Sequence, residues 1–451
     1  MTDTATNRFL SGPYAPVTTE ETAVDLRVTG TLPPELDGRY LRNGPNPIGE
    51  VDPATYHWFL GDGMVHGLRL RDGKADWYRN RWVRGAAVAD ALGEERVPGA
   101  GSFGDTANTN VIGLAGRTFA IVEAGGPPAE LTDELDTVCF GTFDGTFPNG
   151  FTAHPKKDPV TGDLHAVNYY WARPDVVEYL VVGPDATMRH RVDVPVPGNP
   201  MVHDCSITET SVVIYDLPVT FNLDDAMGGA RFPYAWDPGY GARVGIMPLY
   251  GSPEQVQWFE VEPCYVFHPV NAFDDGDTVV IDVARHPRMF DKVRNGPDEG
   301  VPELWRWTFD RTSGKAHEEQ LDDHPVEFPR VDERLVGRRH RYALTAGLGY
   351  TDDELAWPTS TLVRYDRANG GREIIDFGPG QTAGEAVFVP RHQTAAEDDG
   401  WYLTLVTDVA HGTSELVVLD ASAPTEGPVA RVHIPARIPL GFHGNWVPTA
   451  R

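Results

Sequence analysis

Short apolar stretches of four to six residues recur along the whole chain, each ended by a polar or turn-forming cluster: Thr118–Val122, Val212–Tyr215, Val279–Asp282, Leu304–Phe309, Tyr402–Val406 and Glu415–Leu419. Some alternate apolar with polar side chains, as in Leu304-Trp-Arg-Trp-Thr-Phe309, and others are β-branched, so the pattern predicts strands, not helices. Asp275-Gly276, Asn369-Gly370 and Asp399-Gly400 are hairpin signals, and Asp158-Pro-Val-Thr-Gly162 predicts a tight reversal between two strands. Strand density is even throughout, without a strict repeat, as expected of a radial array of four-stranded blades whose strands meet at a central axis. No Pro/Gly/Ser linker divides the chain. We therefore expect one all-β domain over residues 1–451, with about the first 20 residues loosely held.

One segment breaks the pattern. Thr220–Leu249 mixes aromatics, Met, Gly and Pro with neither strand nor helix periodicity. It reads either as a cap over one end of the barrel, with Phe221, Leu223, Met227, Phe232, Tyr234 and Trp236 forming an apolar entrance, or as a long loop packed on the body.

Composition narrows the function classes. The 47 Gly and 38 Pro favour many turns, and a formal charge of −28 repels nucleic acid and anionic lipid headgroups, so a nucleic-acid partner is not expected. Cys139, Cys205 and Cys264 are odd in number and lack CxxC spacing, which points to a reducing cytoplasm. No basic-then-apolar leader opens the chain and no run of 18 apolar residues occurs, so a soluble protein without a transmembrane segment is expected.

The chemistry lies in four histidines with similar surroundings far apart in sequence: Phe151-Thr-Ala-His154-Pro-Lys, Met201-Val-His203-Asp-Cys, Val266-Phe-His268-Pro-Val-Asn and Gly441-Phe-His443-Gly-Asn-Trp. Each setting fits the end of a strand whose last side chain points at a shared centre. Four neutral imidazoles leave a divalent charge intact and two octahedral positions open, which suits ferrous iron holding dioxygen beside a substrate better than tetrahedral zinc. Such a site needs carboxylates to hold the outward ring N–H groups. Glu123, Glu327 and Glu385 each stand among apolar residues, where an unpaired carboxylate is costly. The other histidines, including His57, His66, His165, His286 and His340, read as structural.

These residues carry a resemblance that spans nearly the whole chain. Arg42-Asn-Gly-Pro-Asn-Pro47, Trp58-Phe-Leu-Gly-Asp-Gly-Met64, Asn108-Thr-Asn110, Glu123-Ala-Gly125, His154-Pro-Lys, Val202-His203-Asp204, His268-Pro-Val-Asn271, Glu327-Phe-Pro-Arg330, Glu397-Asp-Asp-Gly400 and Phe442-His443-Gly resemble the carotenoid cleavage oxygenases. That family includes apocarotenoid oxygenases, stilbene-cleaving dioxygenases and the retinoid isomerase of the eye. The resemblance implies a seven-bladed β-propeller with a loop-and-helix cap. It also implies Fe(II) on the axis bound by His154, His203, His268 and His443, with Glu123, Glu327 and Glu385 behind them. Three glutamates serve four histidines in the family, so one ligand should lack a carboxylate; sequence leaves the pairing open. Thr109 matches a family position whose methyl crowds one vacant coordination site.

The implied reaction is scission of a conjugated carbon–carbon double bond by O2 into two carbonyl products. Its electrons come from the alkene, and no dinucleotide fingerprint stands out. The stilbene-cleaving branch usually carries a lysine just before the first glutamate, to engage a phenolic oxygen; this chain has Val122. That favours a carotenoid or apocarotenoid over a hydroxystilbene or phenylpropenoid. Contact with a membrane or micelle through the cap is a further expectation. From a different class, a non-catalytic propeller that binds partners on one face is the alternative.

Overall fold

The computed structural model describes residues 7–102, 104–141, 143, 150–351, 354–356 and 359–449. Antiparallel sheets of four or five strands follow one another as seven blades. The strand-forming runs fall where the pattern put them, for instance within Arg117–Ile121, Ser211–Asp216, Thr278–His286, Glu303–Asp310, Gly400–Asp408 and Thr413–Asp420.

Counted from the N-terminus, the blades begin at the axis with Gly444–Pro448, Asn110–Leu114, Lys156–Lys157, Cys205–Ile207, Tyr265–Asp275, Val326–Arg330 and Gln381–Pro390. The first blade thus takes its innermost strand from the C-terminal end of the chain, where Gly444–Pro448 pairs with Gly38–Pro45. The seventh takes its outermost from the N-terminal end, where Val28–Gly30 pairs with Pro428–Ile434. Two exchanges close the ring and leave no open sheet edge at the seam. Gly444 is required there: a Cβ would lie 2.4 Å from the Leu41 carbonyl oxygen.

Faces between blades are filled by alternate residues of each strand. Val212, Ile214, Val244, Phe259, Ile281 and Trp307 belong to one cluster spanning the third to fifth blades. Burial of such faces supplies most of the drive to fold.

Two expectations change. The loosely held N-terminal stretch is anchored from Asn7 onward: Phe9 stacks on Trp58 at 5.3 Å, Tyr14 meets both rings edge-on, and the Asn7 amide donates to the Tyr56 carbonyl at 2.8 Å. Residues 1–6 lie outside the described residues. The segment Thr220–Leu249 also holds more regular structure than its pattern predicts, because its tail, Arg243–Pro248, is a blade strand paired with Ser211–Asp216. The excursion proper is a hairpin of Val219–Phe221 with Tyr234–Trp236, carrying the short helix Leu223–Met227 at its turn. Asn222 caps that helix through the Asp225 amide.

Candidate metal centre

Each innermost strand delivers one residue to the axis: Thr109, His154, His203, His268, Glu327, Glu385 and His443. The geometry differs from the strand ends expected. Thr109, His154, His203 and His443 stand one or two residues before their strands start, so the incoming loop aims them. His268, Glu327 and Glu385 lie within strands, each where pairing slips: between Val266 and Pro269, between Glu327 and Arg330, and between Ala383 and Ala386. A bulge turns a side chain that would otherwise face a neighbouring blade toward the axis. Phe328 takes a left-handed φ of 51° just after Glu327, and Ala124 one of 59° just after Glu123; both are strained values for residues with a Cβ.

One ring nitrogen from each of His154, His203, His268 and His443 can be chosen so that all lie within 4.8 Å of one another. His203 Nε2 and His268 Nε2 are 3.3 Å apart, and ring centroids in the cluster are separated by 4.5 to 5.2 Å. His154 Nε2 is buried and has no hydrogen-bond partner among the described residues. An imidazole nitrogen left bare at the meeting point of three others fits a cation and little else.

The outward nitrogens settle the pairing. His203 Nδ1 lies 2.9 Å from Glu123 Oε2, His268 Nδ1 2.5 Å from Glu327 Oε2, and His443 Nδ1 2.9 Å from Glu385 Oε1. Among the described residues His154 has no such partner; Asp204 Oδ2 is 3.9 Å from its Nδ1 and is engaged by Lys156 Nζ at 2.8 Å.

The carboxylates are themselves held. Glu385 Oε2 accepts from Arg330 Nη1 and from the Gly444 amide, both at 3.0 Å. Burial alone would raise its pKa, but the Arg330 and His443 charges outweigh it and hold the carboxyl at about 2. Glu327 accepts from the Phe328 amide at 2.5 Å and pairs with His286 Nε2 at 3.1 Å. Against the cost of burial, the His268 and His286 contacts hold it well below the usual carboxylate range. Among the four histidines, burial and neighbouring imidazoles push His154 well below its ordinary value, and burial takes His268 to about 4 despite Glu327. His203 is raised, since the Glu123 charge more than offsets burial. His154 and His268 are therefore neutral at pH 7, the state ligation needs.

Two strings first read only as sequence signatures are staples around this centre. Asn43 Nδ2 donates to the Ala107 and Asn110 carbonyls, and Asn108 Nδ2 to those of Phe59 and Gly61. Asn110 Nδ2 reaches the Ala153 carbonyl beside His154, and the His443 amide donates to the Thr109 carbonyl. The Thr109 hydroxyl donates to Asn108 Oδ1 at 2.9 Å.

On the cap side the cluster opens into a cavity of about 370 Å³. His203, His268, His443 and Thr109 form its floor, and Phe59, Phe267, Phe328 and Phe442 line its walls. Phe221, Phe232 and Tyr234 also line it, whereas Trp236 does not and packs under Arg288. Phe232 stacks on His57 at 3.9 Å. His57, His66, His165 and His340 lie outside the cluster; His66 and His165 are bonded to Tyr78 and Tyr179. Sequence reasoning missed His286 and Arg330 as supports of Glu327 and Glu385. His286 closes an ordinary strand and carries no signal, while Arg330 belongs to Glu327-Phe-Pro-Arg330, whose resemblance to the family gives it no role.

The chain matches the family described as retinal pigment epithelial membrane protein over residues 14–448. It is 47% identical to a carotenoid cleavage oxygenase of Mycobacterium tuberculosis, with 98% of each chain covered. It is 34% identical to a carotenoid 9,10(9',10')-cleavage dioxygenase of Crocus sativus, covering 97% of this chain and 89% of that one. The crystal structure of lignostilbene dioxygenase from Pseudomonas brassicacearum superimposes with a TM-score of 0.88 at 30% identity, covering 99% of this chain and 100% of that one. The propeller, the gathered imidazoles and these matches agree: the chain belongs to the carotenoid cleavage oxygenase family and is an alkene-cleaving dioxygenase.

Proposed function

We propose that His154, His203, His268 and His443 hold Fe(II), and that the enzyme uses O2 to split one conjugated double bond of a carotenoid or apocarotenoid into two aldehydes. The observation that carries this reading is an all-imidazole cluster forming the floor of an aromatic-lined cavity. Ferrous iron so held supplies the activation of dioxygen, and four neutral ligands leave its charge and two coordination positions available for that task. The remaining work belongs to the chain. Glu123, Glu327 and Glu385 accept the Nδ1 protons of three ligands, fixing ring orientation and tautomer. Thr109 lines the cavity with its hydroxyl committed to Asn108, and in the family's arrangement its methyl would crowd one approach to the cluster. Phe59, Phe328 and Phe442 bind the polyene by stacking and keep water from the reacting bond. Both oxygen atoms enter products, one in each aldehyde, so no reductant is consumed.

Val122 lines this cavity immediately before Glu123, and an apolar side chain there has no means of polarising a phenol. A hydroxystilbene or phenylpropenoid is the second reading, favoured by the lignostilbene dioxygenase likeness; Tyr169 on the cavity wall would then meet the phenol.

No helix among the described residues is long and apolar enough to cross a membrane. We place the enzyme in the cytoplasm, drawing its substrate from a membrane or micelle through the cap. Leu223 and Met227, four residues apart on one helix face, are 65% and 80% exposed beside the cavity mouth.

The test is anaerobic loading with Fe(II), then exposure to ¹⁸O2 with a panel of apocarotenals and hydroxystilbenes. Iron-dependent cleavage of an apocarotenal, with one label per aldehyde, is the expected result. Cleavage confined to hydroxystilbenes would install the second reading, and no cleavage of either would overturn both.

A further inference from the structure

The imidazole cluster lies between two spaces, not one. Opposite the apolar cavity, the central channel of the propeller forms a second cavity of about 300 Å³, also floored by ligands. His268 and His443 line both, His203 lines only the apolar one, and His154 only this second one. Its walls are more polar than those of the apolar cavity, although Ile112, Val270, Val331 and Val336 also line it. Asp204, Glu333, Glu385, Lys156, Lys157 and Arg330 line it together with Asn110, Asn271 and Asn445, and exposed Lys157, Gly113 and Pro448 mark its mouth.

We infer that this polar pit is the route by which the metal ion reaches the four histidines, separate from the route of the substrate. The inference rests on the metal site proposed above. A divalent ion arrives hydrated, and stripping its water before the imidazoles replace it is prohibitive in an aromatic-lined space. In the pit, amide and carboxylate oxygens can exchange for water one at a time. The cations do not bar the way, because Lys156 is neutralised by Asp204 at 2.8 Å and Arg330 by Glu385 and Glu333 at 3.0 and 2.7 Å. The net charge of −28 draws cations toward the protein as a whole.

The ligands agree with this direction. His203, His268 and His443 are braced by carboxylates at 2.5 to 2.9 Å, whereas His154, the ligand lining only the pit, has none nearer than Asp204 at 3.9 Å. The unbraced ring is the one able to swing aside, admit the ion and close behind it. Three rigid ligands then set the geometry and the fourth completes it.

The experiment follows Co²⁺ uptake by metal-free full-length protein in stopped flow, reading the d–d absorption of the bound ion and not turnover. Val336→Trp and Ile112→Trp, half-buried on the pit wall and away from the histidines, should each slow uptake about tenfold or more while leaving the final stoichiometry unchanged. Ala226→Trp, on the wall of the apolar cavity, should leave the uptake rate within twofold of wild type. Lys157→Glu, an exposed charge reversal at the pit mouth that spares the fold, should speed uptake about threefold at low ionic strength and less at high salt. Uptake unchanged in Lys157→Glu and in a folded pit variant would overturn the route alone. So would uptake slowed by Ala226→Trp. Failure of wild-type protein to take up any metal would overturn the four-histidine site and the route together.

Discussion

The floor of the apolar cavity and its roof are built on opposite terms. The floor is made by the propeller itself: every innermost strand contributes a residue, and Glu327 and Glu385 each accept from several donors at 2.5 to 3.1 Å. Left-handed backbone at Phe328 and Ala124 is strain that the surrounding sheets hold in place. The roof is an insertion into one blade, a two-stranded hairpin with a helix of five residues whose Leu223 and Met227 face solvent. An isolated hairpin is marginal by itself and is kept here by aromatic contacts such as Phe232 on His57. The fold thus separates duties. Reaction chemistry is fixed by residues that the closed ring positions, with His154 the least braced of them, and choice of substrate falls to a segment that can vary without touching it.

If that division holds, substitutions on the floor should change metal and turnover together, and those on the roof should change only uptake. The largest effect belongs to His203→Ala. It removes one of the four proposed ligands and leaves the half-buried Glu123 without its imidazole partner, so stoichiometric iron binding and cleavage should both fall to background. Metal analysis beside an aldehyde assay checks it; full iron with full turnover would take His203 out of the centre.

Glu385→Gln should come next, lowering metal affinity or turnover about ten- to a hundredfold, as loss of a ligand's hydrogen-bond partner does. The metal-free protein offers a second readout. The Glu385 carboxyl is held at about 2 against an ordinary 4.5, so the folded state favours its ionised form. The stability this gives is fully present above pH 4.5 and is lost as pH falls from 4.5 toward about 2. Acid titration of the melting temperature should therefore be steeper for wild type than for Glu385→Gln across that window. Equal slopes would mean that Arg330 does not hold the carboxylate as the geometry implies.

Floor and roof also differ in how much the sequence revealed. The four histidines were readable because each sits in an apolar context closed by Gly, Pro or Asp, although three of them stand in loops entering axial strands and His268 stands inside one. The three glutamates were readable because a carboxylate among apolar residues demands a partner. The bulges at His268 and Glu385 were not, since a pairing slip depends on the neighbouring strand and leaves no mark in local periodicity. Just after the roof, the blade strand Arg243–Pro248 was hidden because Gly245, Met247 and Pro248 dilute its β signal, and only pairing on both edges makes it a strand. Trp236 shows the limit for single side chains: it shares a hairpin face with Tyr234, two residues before it, yet stands one step farther from the turn, past the cavity lining and under Arg288, which periodicity cannot tell. Phe9 and Tyr14 sit in a polar N-terminal stretch, and only their long-range stacking on Trp58 orders them.

Phe232→Ala moves the test to the roof. The ring is half-buried, lines the cavity and stacks on His57, so truncation removes apolar contact with substrate while leaving the histidines untouched. We expect kcat/KM to fall about five- to tenfold, carried mainly by KM, with iron content unchanged. A fall in kcat with loss of iron would show that roof and floor are coupled, and the division argued above would fail.

The smallest expected effect sharpens the comparison most. Leu223 and Met227 line no part of the cavity and bury little within the protein, so replacing both with Asp should leave the melting temperature and the turnover of a short, soluble alkene within error of wild type. With substrate held in micelles or vesicles the same double variant should lose about two- to threefold in kcat/KM, because the helix face that would enter the apolar layer now carries charge. The informative quantity is the ratio between the two substrates, which a general loss of stability would not alter. Equal losses would make the exposed pair part of the packed structure of the cap, and equal retention would mean that substrate reaches the cavity without any contact between this helix and an apolar phase.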